Sequence, residues 1–225
     1  MKKGCEIMFL IAHRGHTKYA PENTKEAVLA ALDSSSIIGV EFDVRMTKDK
    51  QFVLSHDDSL KRVFKVNKKV SKLTLDEIKE IEYHGFSIPT LESVLKEVRT
   101  NKLLLIEMKI KGDNYQDYVN RFYQIIKRYS YLNIIVISFN GEALDYLSKL
   151  SNALKLGFLA HKLPSTLPPF TALALNYQFL NSTIINRVIK EGRYLFVWTI
   201  KHASDIQKLE PNLNKLFIIT DMNTF

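Results

Sequence analysis

Nine short apolar runs alternate with amphipathic stretches along the 225 residues, and one of these runs follows its predecessor after only four residues. The runs are MFLIAHR, IIGVEFDVRM, QFVLSHD, KLLLIEMKI, NIIVISF, LKLGFLA, TALALN, YLFVWTI and KLFIIT. Between most of them lie segments of helical period: NTKEAVLAALDSS, LESVLKEVRT, DYVNRFYQIIKRYSYL, GEALDYLSKLS, STIINRVIKEG and ASDIQKLE. Strand alternating with helix predicts a parallel sheet. A parallel crossover needs about a dozen residues or more, so the link Thr47–Lys50 can only turn an antiparallel hairpin. Setting QFVLSHD aside as a strand that folds back at the rim leaves eight parallel strands, the number that closes a (β/α)8 TIM barrel. Residues 57–88 then form a short insertion after the second strand, with one helix, LTLDEIKEI, in otherwise irregular chain. Asn23 with Glu26, and Thr74 with Glu77, have capping-box spacing and predict helix starts.

With 46% hydrophobic and 25% charged residues, a single domain over 1–225 is expected rather than a disordered or fibrous chain. The one cysteine, Cys5, excludes an internal disulfide, and no Cys/His cluster has zinc-site spacing. Lys2 and Lys3 precede apolar residues as in a signal peptide, but the run Ile7–Ala12 is too short and is bracketed by Glu6 and His13-Arg14. No run approaches the ~20 apolar residues of a membrane span, so a soluble, cytoplasmic protein without stable membrane insertion is expected. The net charge of +8 is spread through the chain with no nucleic-acid motif, and reads as a solvated lysine-rich surface. The sequence suits a monomer or a homodimer equally.

Polar groups end several of the runs: His13-Arg14 the first, Glu41 and Asp43 the second, His56 the hairpin strand, Glu107 the next parallel one. The C-terminal ends of barrel strands are where TIM-barrel sites lie. In GVEFDVR, residues two apart share a face, so Glu41, Asp43 and Arg45 point one way while Val40, Phe42 and Val44 point to the helices. In LLLIEMKI, Leu105, Glu107 and Lys109 share a face likewise. Three carboxylates in one mouth repel each other; a hard divalent cation, Mg²⁺ or Ca²⁺, would resolve this, and so would an ion-paired network through Arg45, Arg14 and Lys109. Arg14 and Lys109 suit a phosphate lying between them and a metal. His13 and His56 are read as the only histidines at strand ends, placed to supply an acid and a base; His16, His84, His161 and His202 are read as surface or loop residues.

The strings AHRGHTKYAPENTKEAVLAAL, GVEFDVRMTKDKQFVLSHDDSLKR, LTLDEIK, IPTLESVL, LLIEMK, ISF, LGFL and VWT, in that order from Ile11 to Thr199, resemble the glycerophosphodiester phosphodiesterase family. The resemblance implies a divalent-metal-dependent hydrolase with a TIM-barrel fold, cleaving a small-molecule glycerophosphodiester to glycerol 3-phosphate and an alcohol. It further implies Glu41, Asp43 and Glu107 as metal ligands, His13 and His56 as the acid and base pair, and Arg14 and Lys109 as phosphate contacts. Glu22 and Asn23 of PENT match a motif at the site rim, and Trp198 matches an aromatic position near the substrate that equally suits a core tryptophan.

The chain departs from the family in NLNKLFIITDMN, which lacks a glycine-rich approach and a proline after Asp221, and in DDSLKRVFKVNKK after His56. Both lie at the rim and bear on substrate choice. Two other readings stand beside the first: a lysophospholipase D with an apolar groove drawn from Phe64, Phe86, Phe139 and Phe170, and a non-catalytic phosphate-binding barrel.

Overall fold

The computed structural model describes residues 9–110, 112, 114–162, 164, 166–207, 209 and 216–221; Cys5 lies outside them. The strands are β1 (Phe9–His13), β2 (Gly39–Met46), β3 (Phe52–Leu54), β4 (Glu82–Tyr83), β5 (Phe86–Ser87), β6 (Leu103–Met108), β7 (Ile134–Ser138), β8 (Lys155–Ala160), β9 (Ala172–Asn176), β10 (Tyr194–Ile200) and β11 (Phe217–Thr220). The α-helices are α1 (Lys25–Asp33), α2 (Lys61–Phe64), α3 (Leu75–Lys79), α4 (Leu91–Leu95), α5 (Tyr115–Ile126), α6 (Gly141–Leu150), α7 (Ser182–Lys190) and α8 (Ala203–Gln207). The sheet runs β1-β11-β10-β9-β8-β7-β6-β2-β3, and β1 also pairs with β2, which closes eight parallel strands into a barrel. The ninth, β3, is antiparallel to β2. The expected (β/α)8 barrel with its rim hairpin is therefore the observed fold.

Alternation along each strand builds two layers of core. Val40, Phe42 and Val44 of β2, with Leu104, Ile106 and Met108 of β6, point outward and bury against the helices. Ile11, Leu103, Leu105, Ile137, Ala172, Ala174, Phe196 and Ile219 fill the barrel interior. The inward series continues past this plug as His13 on β1, Glu41 and Asp43 on β2, and Glu107 on β6. Register puts His13 opposite Glu41 and Asp43 opposite Glu107, so the polar groups form one tier above the apolar one.

The insertion is more ordered than its sequence suggests. Besides α2 and α3 it holds a 3-10 turn, Val70–Lys72, and the hairpin β4-β5. Its own core gathers Leu60, Phe64, Val70, Leu73, Ile78, Ile81 and Ile88 around Val53 of β3. Thr74 and Glu77 do form the expected capping box. At α1 the cap is Thr24, whose side chain accepts from the Ala27 amide, and Asn23 is spent elsewhere. The segment 161–171, between β8 and β9, has no helix among its described residues. Among the described residues no helix is long and apolar enough to cross a membrane.

Candidate active site

A tight turn after β1 shapes the site. Arg14 and Gly15 have left-handed backbones, with φ of 57° and 91°. A Cβ on Gly15 would meet the Ala27 carbonyl carbon at 2.6 Å, so only glycine lets the turn press against α1. In this turn the Arg14 amide donates to Glu41 Oε2 (3.1 Å). Asn23, also left-handed at φ 59°, clamps Asp43 twice: its Nδ2 donates to Asp43 Oδ2 (2.8 Å), and its Oδ1 accepts from the Asp43 amide (2.9 Å).

Glu41, Asp43 and Glu107 are buried, and each offers a carboxylate oxygen within 4.8 Å of the others. Burial, followed by the charges of Asp43 and Glu107, raises Glu41 well above the usual carboxylate range. Burial and the Asp43 charge likewise push Glu107 up to about 7, against the pull of Lys109. Burial would raise Asp43 as well, but Lys109, Arg14, His56 and the Asn23 amide outweigh it and hold Asp43 below its ordinary value. Lys109 Nζ lies 3.1 Å from Asp43 Oδ1 and 2.7 Å from Glu107 Oε1, and Arg14 Nε lies 3.3 Å from Asp43 Oδ2. Two cations leave the three carboxylates short of balance, and Glu41 and Glu107 carry the deficit. This oxygen donor set fits a hard divalent cation. The ion-paired network is also present, but through Arg14 and Lys109. Arg45 instead donates through Nε and Nη2 to the His56 carbonyl oxygen (2.8 and 2.6 Å).

His13 and His56 each carry a carboxylate on Nδ1. His13 Nδ1 is 2.8 Å from Asp221 Oδ1, and His56 Nδ1 is 2.7 Å from Asp57 Oδ1. That pairing orients both rings and leaves each Nε2 without a carboxylate closer than Glu41 Oε2, 4.0 Å from His13 Nε2. Burial lowers the pKa of His56. A cavity of about 260 Å³ brings together His13, Arg14, Glu41, His56, Glu107, Lys109 and Trp198. Glu22 stands at the rim, where its carboxylate accepts from Arg14 Nη1 (2.8 Å).

The far wall of the cavity is aromatic and corrects one reading. His161 follows β8 directly and lines the cavity with Phe139 and Trp198, so His13 and His56 are not the only histidines at strand ends. Its ring stacks on Phe139 at 5.0 Å and meets Trp198 edge-on at 5.3 Å. The signal was legible, since LGFLAH ends on a histidine as FLIAH does. Of the phenylalanines expected to line an apolar groove, only Phe139 reaches this cavity. Phe64 is buried in the insertion core, Phe170 in the outer layer, and Phe86 sits on the β4-β5 hairpin. Asp57 and Arg62, both in the string that follows His56, add site contacts that no local pattern in that string signals.

An eight-stranded barrel with carboxylates, cations and histidines gathered at the C-terminal mouth is the setting of a hydrolase, and its carboxylate cluster could hold a metal ion. Residues 13–222 match the Glycerophosphoryl diester phosphodiesterase family. The chain belongs to this family and is an enzyme of the phosphoric diester hydrolase class. It is 30% identical to a glycerophosphodiester phosphodiesterase of Caldanaerobacter subterraneus, over 89% of this chain and 88% of that one. Among solved structures it is similar to the glycerophosphodiester phosphodiesterase of Thermotoga maritima (29% identity, TM-score 0.79, covering 96% of this chain and 95% of that one). An Oleispira antarctica phosphodiesterase in complex with the product sn-glycerol-3-phosphate shares the fold (24% identity, TM-score 0.86, covering 96% and 94%).

Proposed function

We propose that the protein hydrolyses small glycerophosphodiesters to sn-glycerol 3-phosphate and an alcohol. The observation that carries this reading is the pair of carboxylate-oriented histidines sharing one cavity with Glu41 and Glu107, two members of a cluster of three buried carboxylates completed by Asp43. Glu41, Asp43 and Glu107 would hold Mg²⁺ or Ca²⁺, which when bound supplies charge neutralisation and lowers the pKa of a substrate hydroxyl. Arg14 and Lys109 bind the phosphate and offset the charge that grows on its oxygens during the reaction. Glu22 and Asn23 support this machinery by holding Arg14 and Asp43.

The chemistry of the chain's own groups follows from their hydrogen bonds. A histidine whose Nδ1 donates to a carboxylate is fixed with Nε2 free to accept a proton, or to return one once charged. One of His13 and His56 takes the proton of a glycerol hydroxyl as its oxygen attacks phosphorus. The other gives a proton to the departing alcohol oxygen, and a cyclic phosphate remains. Water then opens the ring with the two roles exchanged, which returns both histidines to their starting states. Trp198, Phe139 and His161 offer the alcohol an apolar wall. A reducing, cytoplasmic setting suits a chain with one cysteine.

The test is release of sn-glycerol 3-phosphate from glycerophosphocholine with Mg²⁺, with Ca²⁺ and with EDTA, beside Glu41→Gln and His13→Ala and a parallel reaction on lysophosphatidylcholine. Metal-dependent release that both substitutions abolish supports the reading. No release with either cation sinks it, and preference for the lysolipid would turn it to a lysophospholipase D.

A further inference from the structure

We propose that Arg62, on α2 of the insertion, is a positioning residue that fixes the acid/base group His56 and the phosphate-binding group Arg14 relative to one another; the inference rests on the function proposed above. Arg62 Nε donates to Asp57 Oδ2 (2.6 Å), and the other oxygen of that carboxylate holds His56 Nδ1. Along the other edge of the guanidinium, Nη1 donates to Glu22 Oε2 (2.6 Å) and Nη2 to Glu22 Oε1 (2.7 Å). Glu22 Oε1 also accepts from Arg14 Nη1. One planar group thereby joins two carboxylates, each of which orients a different working side chain: His56–Asp57–Arg62–Glu22–Arg14.

His56 follows β3 and Arg14 follows β1, so the two come from separate segments with separate backbone supports. Arg45 fixes the His56 main chain, whereas only Arg62 among the described residues ties its imidazole partner to the Arg14 side. The guanidinium is half-exposed, and exposed ion pairs contribute little to stability. What three short bonds on a rigid fork do supply is direction. Arg62 does not line the cavity, so it acts through its partners rather than on substrate. Its own seat is firm, since Phe64 two residues on is buried in the insertion core against Val53 of β3. The insertion thus reaches the reaction centre through one side chain.

The experiment compares the full-length wild type with Arg62→Ala, Arg62→Lys, Asp57→Asn and Glu22→Gln on glycerophosphocholine with the activating cation. Arg62→Ala is expected to lower kcat about 10–100-fold, the usual effect of removing a partner that orients a working group, and to raise KM because the Arg14 arm is loosened. Lysine, a single point charge, restores only part of this. Added guanidinium restores activity to Arg62→Ala and to none of the others. Coupling between Asp57→Asn and Glu22→Gln in a double-mutant cycle disappears once Arg62 is removed. Arg121→Ala, which cuts an exposed pair with Asp117, serves as the neutral control, and equal melting temperatures exclude unfolding.

Wild-type kcat and KM in Arg62→Ala would overturn the proposal while leaving the hydrolysis reading intact. Should the wild type release no product, the hydrolysis reading falls and Arg62 is judged by other means. These are the ¹⁵N signals of the His56 imidazole and the affinity for sn-glycerol 3-phosphate: changes in both on removing Arg62 support the clamp, and unchanged values overturn it.

Discussion

His13 and Asp221 stand 208 positions apart in the chain and meet at 2.8 Å, Nδ1 to Oδ1. The first and last strands of the barrel are neighbours, with Ala12 opposite Thr220, so the residues that immediately follow them share the mouth. Burial would raise the Asp221 carboxyl, but the hydrogen bond to His13 and the charges of His13, Lys201 and Arg14 together outweigh it and keep the group below its ordinary value. The aspartate is therefore held as the anion that a charged imidazole needs beside it.

Asp221→Asn keeps the shape of this contact and removes its charge. We expect kcat to fall about 10–100-fold with little change in KM, because the ring loses its orienting anion and not its substrate contacts. Steady-state kinetics on glycerophosphocholine checks this; wild-type kcat would show that His13 is oriented by something else.

Glu41→Gln removes a carboxylate that burial and the charges of Asp43 and Glu107 raise well above the usual range. In EDTA the variant should be more stable than wild type, by about 2 to 4 °C in Tm for each kcal/mol of repulsion relieved. Added Mg²⁺ or Ca²⁺ should then raise the wild-type Tm and leave that of the variant nearly still. Equal metal responses in the two proteins would argue against Glu41 as a ligand.

Acid should loosen the rim. Glu22 and Asp57 are both held below their ordinary values of 4.5 and 3.8; burial pushes each up, but hydrogen bonds and charge from Arg62, Arg14 and His56 prevail. A depressed carboxylate pKa stabilises the fold above the unfolded value, and that contribution is lost as pH falls through the folded one. Urea midpoints measured from pH 6 down to pH 3 should therefore drop less steeply in Glu22→Gln than in wild type. Parallel profiles would refute this assignment.

Gly15→Ala should cost more than about 1 kcal/mol of stability. The added methyl meets the Ala27 backbone at 2.6 Å and φ is +91°, whereas at Gly85, with φ +82°, nothing lies within 4 Å. Chemical denaturation of the two alanine variants separates the clash from the backbone strain, and equal losses would mean the turn can move away from α1. Activity should fall further in Gly15→Ala, since Arg14 is the neighbouring residue.

Much of this was legible because it is local. Period-two alternation in GVEFDVR and LLLIEMKI aimed Glu41, Asp43, Glu107 and Lys109 inward, and the four-residue link before Gln51 gave the antiparallel β3. The insertion resisted because its elements are short: α2 has four residues and β4 two, too few for any period to register. Asn23 has capping spacing one residue ahead of the true cap, Thr24, and its partnership with Asp43 spans 20 positions, beyond the reach of any local pattern. Arg62 resisted for the same reason, being 40 positions from Glu22. His161 carries a local sign, a histidine at a strand end.

The closing of the barrel by β11 also bears on how the protein is made. A nascent chain that has reached Lys109 already carries His13, Arg14, Glu22, Glu41, Asp43, His56 and Glu107, polar groups of the proposed site. It lacks the strands that seal β1 on its other side, and with them the anchor for His13. Synthesis therefore passes through a long interval in which the proposed site residues exist without their enclosure. Of the barrel's own strands β11 is made last, and its arrival completes the wall around β1 and brings Asp221 to His13.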